Sequence, residues 1–258
     1  MRTIDGRPVV ARYIGDRRVM ARYIGENLVF ADVPAKPDYI KNGLYTYFDA
    51  INNIGTGVHD PSSQIWVDLA NGRDGQLIDQ CGWRNGDGLR TGLTLDSRVS
   101  FSGELPSDLH DYTVISIQSL DEKLPAHPYI YGVNPYPNMY AHSGNDYSQN
   151  WYGPNSSSGN LDTNFTPRTY RPTGTRLVTI VRYSAATKIL ELWQDGSYLG
   201  LLQNVGLARG VPTAYLGGRG NNERTWQGTI CGFLLYTRAL ADDEIQHNFG
   251  ITRERYMA

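Results

Sequence analysis

The sequence predicts an all-β chain: a β-sandwich of jelly-roll type preceded by a small N-terminal β-repeat arm. Three observations carry this. Charged residues make up only 19% of the 258, while Gly reaches 28 and Tyr 18 against 6 Phe. Few charges, many turn formers and a half-polar aromatic describe turn-rich sheets. From Gly43 onward, short apolar runs alternate with clusters of Gly, Asn, Asp and Pro, the spacing of sandwich strands. Residues 1–33 repeat with a period of ten.

The same composition excludes several classes. A hydrophobic content of 40% is enough for a core and argues against disorder. A net charge of −2 argues against a whole-chain nucleic-acid binder, which needs a strong basic bias. No apolar run approaches the roughly 18 residues of a membrane span, so no membrane insertion is expected. The start Met1-Arg2-Thr3-Ile4-Asp5-Gly6 lacks the apolar stretch of a signal peptide. Cys81 and Cys231 belong to no closely spaced metal pattern and read as buried or half-buried thiols, with a disulfide between them left open.

The arm comes first. Ala11-Arg12-Tyr13-Ile14-Gly15 recurs as Ala21-Arg22-Tyr23-Ile24-Gly25, and Asn27-Leu28-Val29-Phe30-Ala31 is a degraded third copy. Each copy reads as one short strand ending in a Gly turn, together a three-strand meander over 1–33. Such a meander cannot bury enough surface alone, so it needs a partner: the main domain, copies of itself or a larger assembly. Arg7, Arg12, Arg17, Arg18 and Arg22 make it locally positive. Pro34 and Pro37 then place a linker at 34–42, because prolines cannot continue a central strand.

The body is expected over 43–258. Its clearest element is Lys188 to Gln194, then Asp195-Gly196, then Ser197 to Leu202, a two-residue hairpin. That loop sets Gln194 opposite Ser197, Trp193 opposite Tyr198, Leu192 opposite Leu199 and Leu190 opposite Leu201, with the leucines toward the core. Further strands read at Tyr112 to Gln118, Leu177 to Tyr183 and Thr229 to Tyr236. The last is apolar on both faces and should be central. A short helix is expected at Asp242 to Phe249, with acids in its first turn and Gly250 beyond its end.

These elements resemble a family. The strand at Leu177, the Leu192-Trp193-Gln194-Asp195-Gly196 turn, Tyr215-Leu216-Gly217-Gly218-Arg219 and the closing strand with Tyr236-Thr237-Arg238-Ala239-Leu240 before Glu244-Ile245 are similar to the C-terminal half of a laminin-G-like, concanavalin A-like lectin jelly roll. Ala241 departs from the Ser that usually caps the helix there, and Asp242 is the alternative cap. Gly43 to Asn53 and Gln64 to Gly75 resemble lectin-like modules of phage and prophage structural proteins, as does the arm repeat. The resemblance implies a virion setting: a fibre-type protein assembled in the bacterial host cytoplasm, a homo-oligomer (a trimer would suit a fibre), contacts with other virion proteins through 1–33, and a head that binds a host-surface carbohydrate; the alternative is a free carbohydrate-binding module or lectin, which leaves the repeat unexplained.

Concanavalin A-like folds also house glycoside hydrolases, which carry Glu-x-Asp-x-Glu on one strand to bring two carboxyls close. Here the nearest match, Glu191 to Asp195, has Trp193 in the middle and spends Asp195 on the turn, so the chain is expected not to be an enzyme. His59, His110, His127, His142 and His247 are scattered and none is spaced for zinc. Asp68, Asn71 and Asp74 are calcium candidates, lectins of this fold often binding Ca²⁺ through such loop oxygens; the same residues also serve as purely architectural Asx turns. A Tyr-rich stretch over 125–172 offers Tyr147, Asn150, Trp151 and Tyr152 as a carbohydrate-binding set, an aromatic platform beside amides; the same mixture suits a protein-binding loop or a plain sheet edge. The glycosylation acceptors at Asn155 and Asn164 mean little without a signal peptide.

Overall fold

The structure, a computed structural model, describes residues 38–92, 97–102, 111–120, 174–205, 213–218 and 225–257, and elsewhere strand segments at 3–4, 7–8, 13–14, 17–18, 21–24, 27–31, 129–133, 138–141, 149–153 and 161–163. Contacts divide the chain into two units, Met1–Lys36 and Pro37–Ala258. The predicted linker of 34–42 is therefore cut short on its C-terminal side. Tyr39 is 3% exposed, its hydroxyl pairs with Thr252 Oγ1 at 3.2 Å, and the Ile40 N–H donates to Asn248 Oδ1.

In the arm, β1 (Thr3–Ile4) pairs with β2 (Arg7–Pro8), β3 (Tyr13–Ile14) with β4 (Arg17–Arg18), and β5 (Ala21–Ile24) with β6 (Asn27–Ala31). The turn-flanking pairs are Ile4 with Arg7, Ile14 with Arg17 and Ile24 with Asn27, one every ten residues. Two of these pairings flank 15–16 and 25–26, where the sequence places Gly turns, and a third flanks 5–6. The described strand segments form three antiparallel pairs, and residues 9–12 and 19–20, which would join successive segments into the expected meander, lie outside the described residues.

The body is a β-sandwich of two antiparallel sheets with one C-terminal helix. Its strands are β7 (Leu44–Asp49), β8 (Ile65–Trp66), β9 (Gly75–Ile78), β10 (Gly82–Arg84), β11 (Gly88–Arg90), β12 (Arg98–Ser102), β13 (Tyr112–Leu120), β14 (Tyr129–Val133), β15 (Asn138–Ala141), β16 (Gln149–Gly153), β17 (Leu161–Thr163), β18 (Arg176–Ser184), β19 (Ile189–Gln194), β20 (Ser197–Leu202), β21 (Thr213–Leu216) and β22 (Gly228–Tyr236), followed by α1 (Asp242–Tyr256). The first sheet runs β10-β11-β22-β13-β18-β19-β20, with β7 also paired to β22. The second runs β17-β16-β15-β14-β21-β12-β9-β8.

Alternation sorts side chains between two cores. Toward the second sheet, Phe48, Val114, Val181, Leu190, Leu192 and Phe233 meet Trp66, Val99, Phe101, Tyr131 and Leu216. On its other face the first sheet buries Ile115, Ile117, Val178, Ile180, Trp193, Cys231 and Leu234 with Ile245 and Tyr256 of α1. All nine residues of β13 and of β22 are buried, so β22 is central as its two apolar faces require.

Three local details differ from expectation. The Asp195-Gly196 hairpin forms with φ of 48° and 78°, the double positive φ of a type I′ turn, and the two pairs nearest it stand as expected. A bulge follows, so Leu192 pairs with Gly200 (φ 146°), Glu191 with Leu201 and Leu190 with Leu202. The helix runs two turns past Gly250 to Tyr256, because Ile251, Thr252 and Tyr256 still find burial against the sheet. Asp242 does not cap it. Glu244 does, accepting the Ala241 N–H at 2.9 Å while Arg238 grips its carboxylate through two bonds of 2.7 and 2.6 Å. Both cysteines are free thiols, and burial pushes Cys81 up to about 12.

Candidate functional site

The acidic turn is resolved in full. Asp68, 4% exposed, accepts the N–H groups of Tyr47 (2.7 Å) and Ala70 (3.0 Å) on one carboxylate oxygen and of Asn71 (3.2 Å) and Arg73 (3.1 Å) on the other. Asp74 accepts the Asp68 N–H, and Asn71 donates to the carbonyls of Leu44 and Tyr45. The three calcium candidates do come together, but as an Asx lock that fastens the loop to β7. Four backbone donors surround the one buried carboxylate, and among the described residues no group of three His, Cys, Asp or Glu is placed to hold a metal. His59 Nδ1 sits 2.7 Å from the Ala50 carbonyl and its ring meets Trp83 edge-on, while His247 Nε2 lies 3.0 Å from the Asp38 carbonyl. His110, His127, His142, Asn155 and Asn164 lie outside the described residues.

Of the carbohydrate candidates, Tyr147 lies outside the described residues, and Asn150, Trp151 and Tyr152 fall on β16, next to the edge strand of the second sheet. Register separates them. Trp151 pairs with Met139, Met139 with Tyr131, Tyr131 with Leu216 and Leu216 with Val99. Tyr131, Leu216 and Val99 are buried in the inter-sheet core, so this row belongs to the inner side. Tyr152 belongs to the adjacent register row, paired with Asn138.

That row is continuous. Ile65 pairs with Gln76, Gln76 with Ser100, Ser100 with Tyr215, Tyr215 with Gly132, Gly132 with Asn138, Asn138 with Tyr152 and Tyr152 with Asp162. Directly paired residues share a face. Gln76 is exposed and Ser100 and Tyr215 half-buried, whereas their strand neighbours Val99, Phe101, Ala214 and Leu216 are buried. Arg98 caps the Tyr215 ring, 5.4 Å from its centroid. Among the described residues no helix lies on this face, because α1 is packed against the first sheet. Reading residues one by one missed the row, since its members come from eight strands and only the register aligns them.

No protein-family model matches the chain, and no curated protein matches it in sequence. Solved structures do match in fold. Trypanosoma rangeli sialidase bound to the inhibitor DANA is similar at TM-score 0.58 and 15% identity, over 90% of this chain and 35% of that one. Domain 4 of AbnA, an extracellular arabinanase of Geobacillus stearothermophilus in complex with arabinotriose, is similar at 0.58 and 14%, over 79% of this chain and 96% of that domain. The binding domain of botulinum neurotoxin serotype D is similar at 0.60 and 9%, over 82% of this chain and 52% of that one. The chain spans about a third of the length of the sialidases it matches. The body thus has a β-sandwich fold found in all three of these proteins.

One expectation is corrected by this likeness. The chain was expected not to be an enzyme because it lacks a strand with Glu-x-Asp-x-Glu. About a third of each sialidase chain shares its fold, and glycoside hydrolases that work without that carboxylate pair are known. The missing motif therefore does not set this chain apart from glycoside hydrolases. Glu191 itself is committed to Arg182 at 2.7 Å, and Asp195 accepts the Val178 N–H.

Proposed function

We propose that the body is a lectin-like carbohydrate-binding domain and that the outer row of the second sheet is its binding face. The observation that carries this is the described part of the row: Gln76, Ser100 and Tyr215 place an amide, a hydroxyl and a tyrosine ring side by side on the sheet face that no described helix covers. Tyrosine rings pack on the apolar face of a sugar, and amide and carboxylate groups bond its hydroxyls. Asn150, Trp151 and Tyr152 remain candidates by their place on β16, and Tyr215, Gln76 and Ser100 join the proposed set. The arabinotriose complex of the similar arabinanase domain supports the reading. A glycan array probed with the full chain tests it. Retention of defined glycans, abolished by the double variant Gln76→Ala/Tyr215→Ala at unchanged Tm, is the expected result. No retention across the array rejects it.

A second reading is a virion structural protein, fibre-like, whose arm docks onto an assembly or oligomerises. It draws support from the ten-residue hairpin repeat, since an isolated two-stranded hairpin is marginal in water. Light-scattering mass of the full chain and of a chain beginning at Pro37 tests the arm. An oligomer that falls to monomer on truncation supports self-assembly, and a monomer in both removes it.

A further inference from the structure

The described part of the row gathers into one patch. Ser100 stands opposite Gln76 on β9 and opposite Tyr215 on β21, one strand spacing of about 4.8 Å to either side. Arg98 lies two residues back along β12, about 7 Å from Ser100, and faces the same way, because Val99 between them is buried in the inter-sheet core. An amide, a hydroxyl, a phenol ring and a guanidinium thus share an area of about 10 Å by 7 Å, the scale of one sugar ring with its substituents.

Arg98 is held in that patch. Its stem rests against Gly218, where a Cβ would lie 3.4 Å from both its Cβ and its Cδ. Its Cζ is 5.4 Å from the Tyr215 centroid, within cation–π range. Among the residues of β8, β9, β12 and β21 it is the only charged one. The amide and the hydroxyl serve the hydroxyls of any sugar. A guanidinium adds parallel donors that match an anion, and its five N–H groups let it bond a neighbour and an anion together. Arg98 is half-buried, so an ion pair formed there is screened less than one in open water.

We infer that the ligand of this face is an acidic sugar, one carrying a carboxylate or a sulfate. Its ring lies against Tyr215, its anionic group meets Arg98, and Gln76 and Ser100 bond its hydroxyls. The inference rests on the carbohydrate-binding reading above and adds the charge of the ligand.

The experiment is a set of matched pairs. An array printed with galacto- and galacturono-, gluco- and glucurono-oligosaccharides, and with sulfated galacto-oligosaccharides, is probed with the full chain, and the retained members are titrated calorimetrically. The acidic member of a pair is expected to bind about tenfold or more tighter than its neutral match, or to be retained alone. The carboxylated and sulfated arms show which anion supplies the gain. In the natural chain the difference should shrink in 0.5 M NaCl. Arg98→Gln should erase it at unchanged Tm and leave the neutral member's affinity as it was, and Arg98→Lys should keep part of it. Equal binding of acidic and neutral members, or a difference untouched by Arg98→Gln, overturns the inference while leaving a carbohydrate-binding domain. So does an Arg98→Gln loss shared equally by both members, which would make the guanidinium a support for the ring alone. Retention of no carbohydrate in the pairs or on the wider array overturns the underlying reading instead.

Discussion

The two sheets of the sandwich meet opposite demands. The central strands of the first are buried on both faces, by the second sheet on one side and by α1 on the other, and a buried carboxylate ties them to the helix. Asp49, fully buried, accepts from Tyr47 OH (2.9 Å), Tyr256 OH (2.7 Å), the Ile51 N–H (2.9 Å) and Arg255 (2.6 Å). The second sheet buries only its inner rows and leaves a polar, aromatic row outward. The difference teaches where change is tolerated. A residue of the central strands of the first sheet answers to neighbours on two sides, whereas among the described residues no helix packs on the outer row.

The largest effect should come from breaking the network of the covered sheet. Asp49→Ala leaves Arg255, whose side chain is 11% exposed, without its partner and strips two tyrosine hydroxyls of their acceptor. Removing one member of a buried ion pair costs about 3–5 kcal/mol. Urea unfolding of the variant should show that loss. A cost under about 1 kcal/mol would mean that α1 is held by its apolar contacts alone.

Next comes a methyl group where two strands touch. A Cβ on Gly228 would run into the Ser119 carbonyl and lie 2.6 Å from Trp226 Nε1, which donates to that same carbonyl. Backbone cannot yield as a flexible side chain does, so Gly228→Ala should cost about 1–3 kcal/mol. Ala in place of Gln76, exposed on the outer row, should stay within about 0.5 kcal/mol in the same assay. Equal costs at the two positions would erase the contrast between the sheets.

Acid sharpens the comparison at the helix start. Hydrogen bonds from Arg238 and then the Ala241 N–H hold Glu244 down to about 2, against an ordinary value of 4.5. A depressed carboxylate contributes its stability in full above the unfolded value and loses it as pH falls through the folded one. The Tm should therefore fall more steeply between pH 4.5 and 2 in the natural chain than in Glu244→Gln, with the two curves converging at the acid end. Parallel curves would show that the Arg238–Glu244 pair adds nothing in solution, the common fate of exposed ion pairs.

What was legible in the sequence follows the same division. The covered sheet announced itself: Thr229 to Tyr236 is apolar on both faces and proved central, and Asp195-Gly196 between apolar runs marked a true type I′ turn. Local signals specify such elements because burial and turn conformation are decided within a few residues. The outer row was hidden, since pairing Tyr215 with Ser100 and Gly132 is a matter of register between strands distant in sequence. The helix end was misjudged for a related reason: Gly250 would stop an isolated helix, but Tyr256 lies beyond it and its hydroxyl reaches Asp49.

The smallest effect tests the one register that local rules mistook. Continuous pairing from the turn puts Leu201 opposite Leu190 in the core, where Leu201→Ser would cost several kcal/mol by burying a polar group and opening a cavity. The bulge instead pairs Leu201 with Glu191 and leaves it 43% exposed, while Leu202 pairs with Leu190 and packs on the inter-sheet core. Leu201→Ser should then change stability by no more than about 0.5 kcal/mol, and Leu202→Ser by about 2 kcal/mol or more. The extra residue, Leu199, decides which leucine is which, and Gly200 beside it allows the bulge, because its φ of 146° is a conformation that L side chains rarely adopt. A costly Leu201→Ser beside a neutral Leu202→Ser would place the edge of the covered sheet one residue out of register. The sandwich would survive that shift, since both leucines are apolar, but the face that β20 shows to solvent would be the other one.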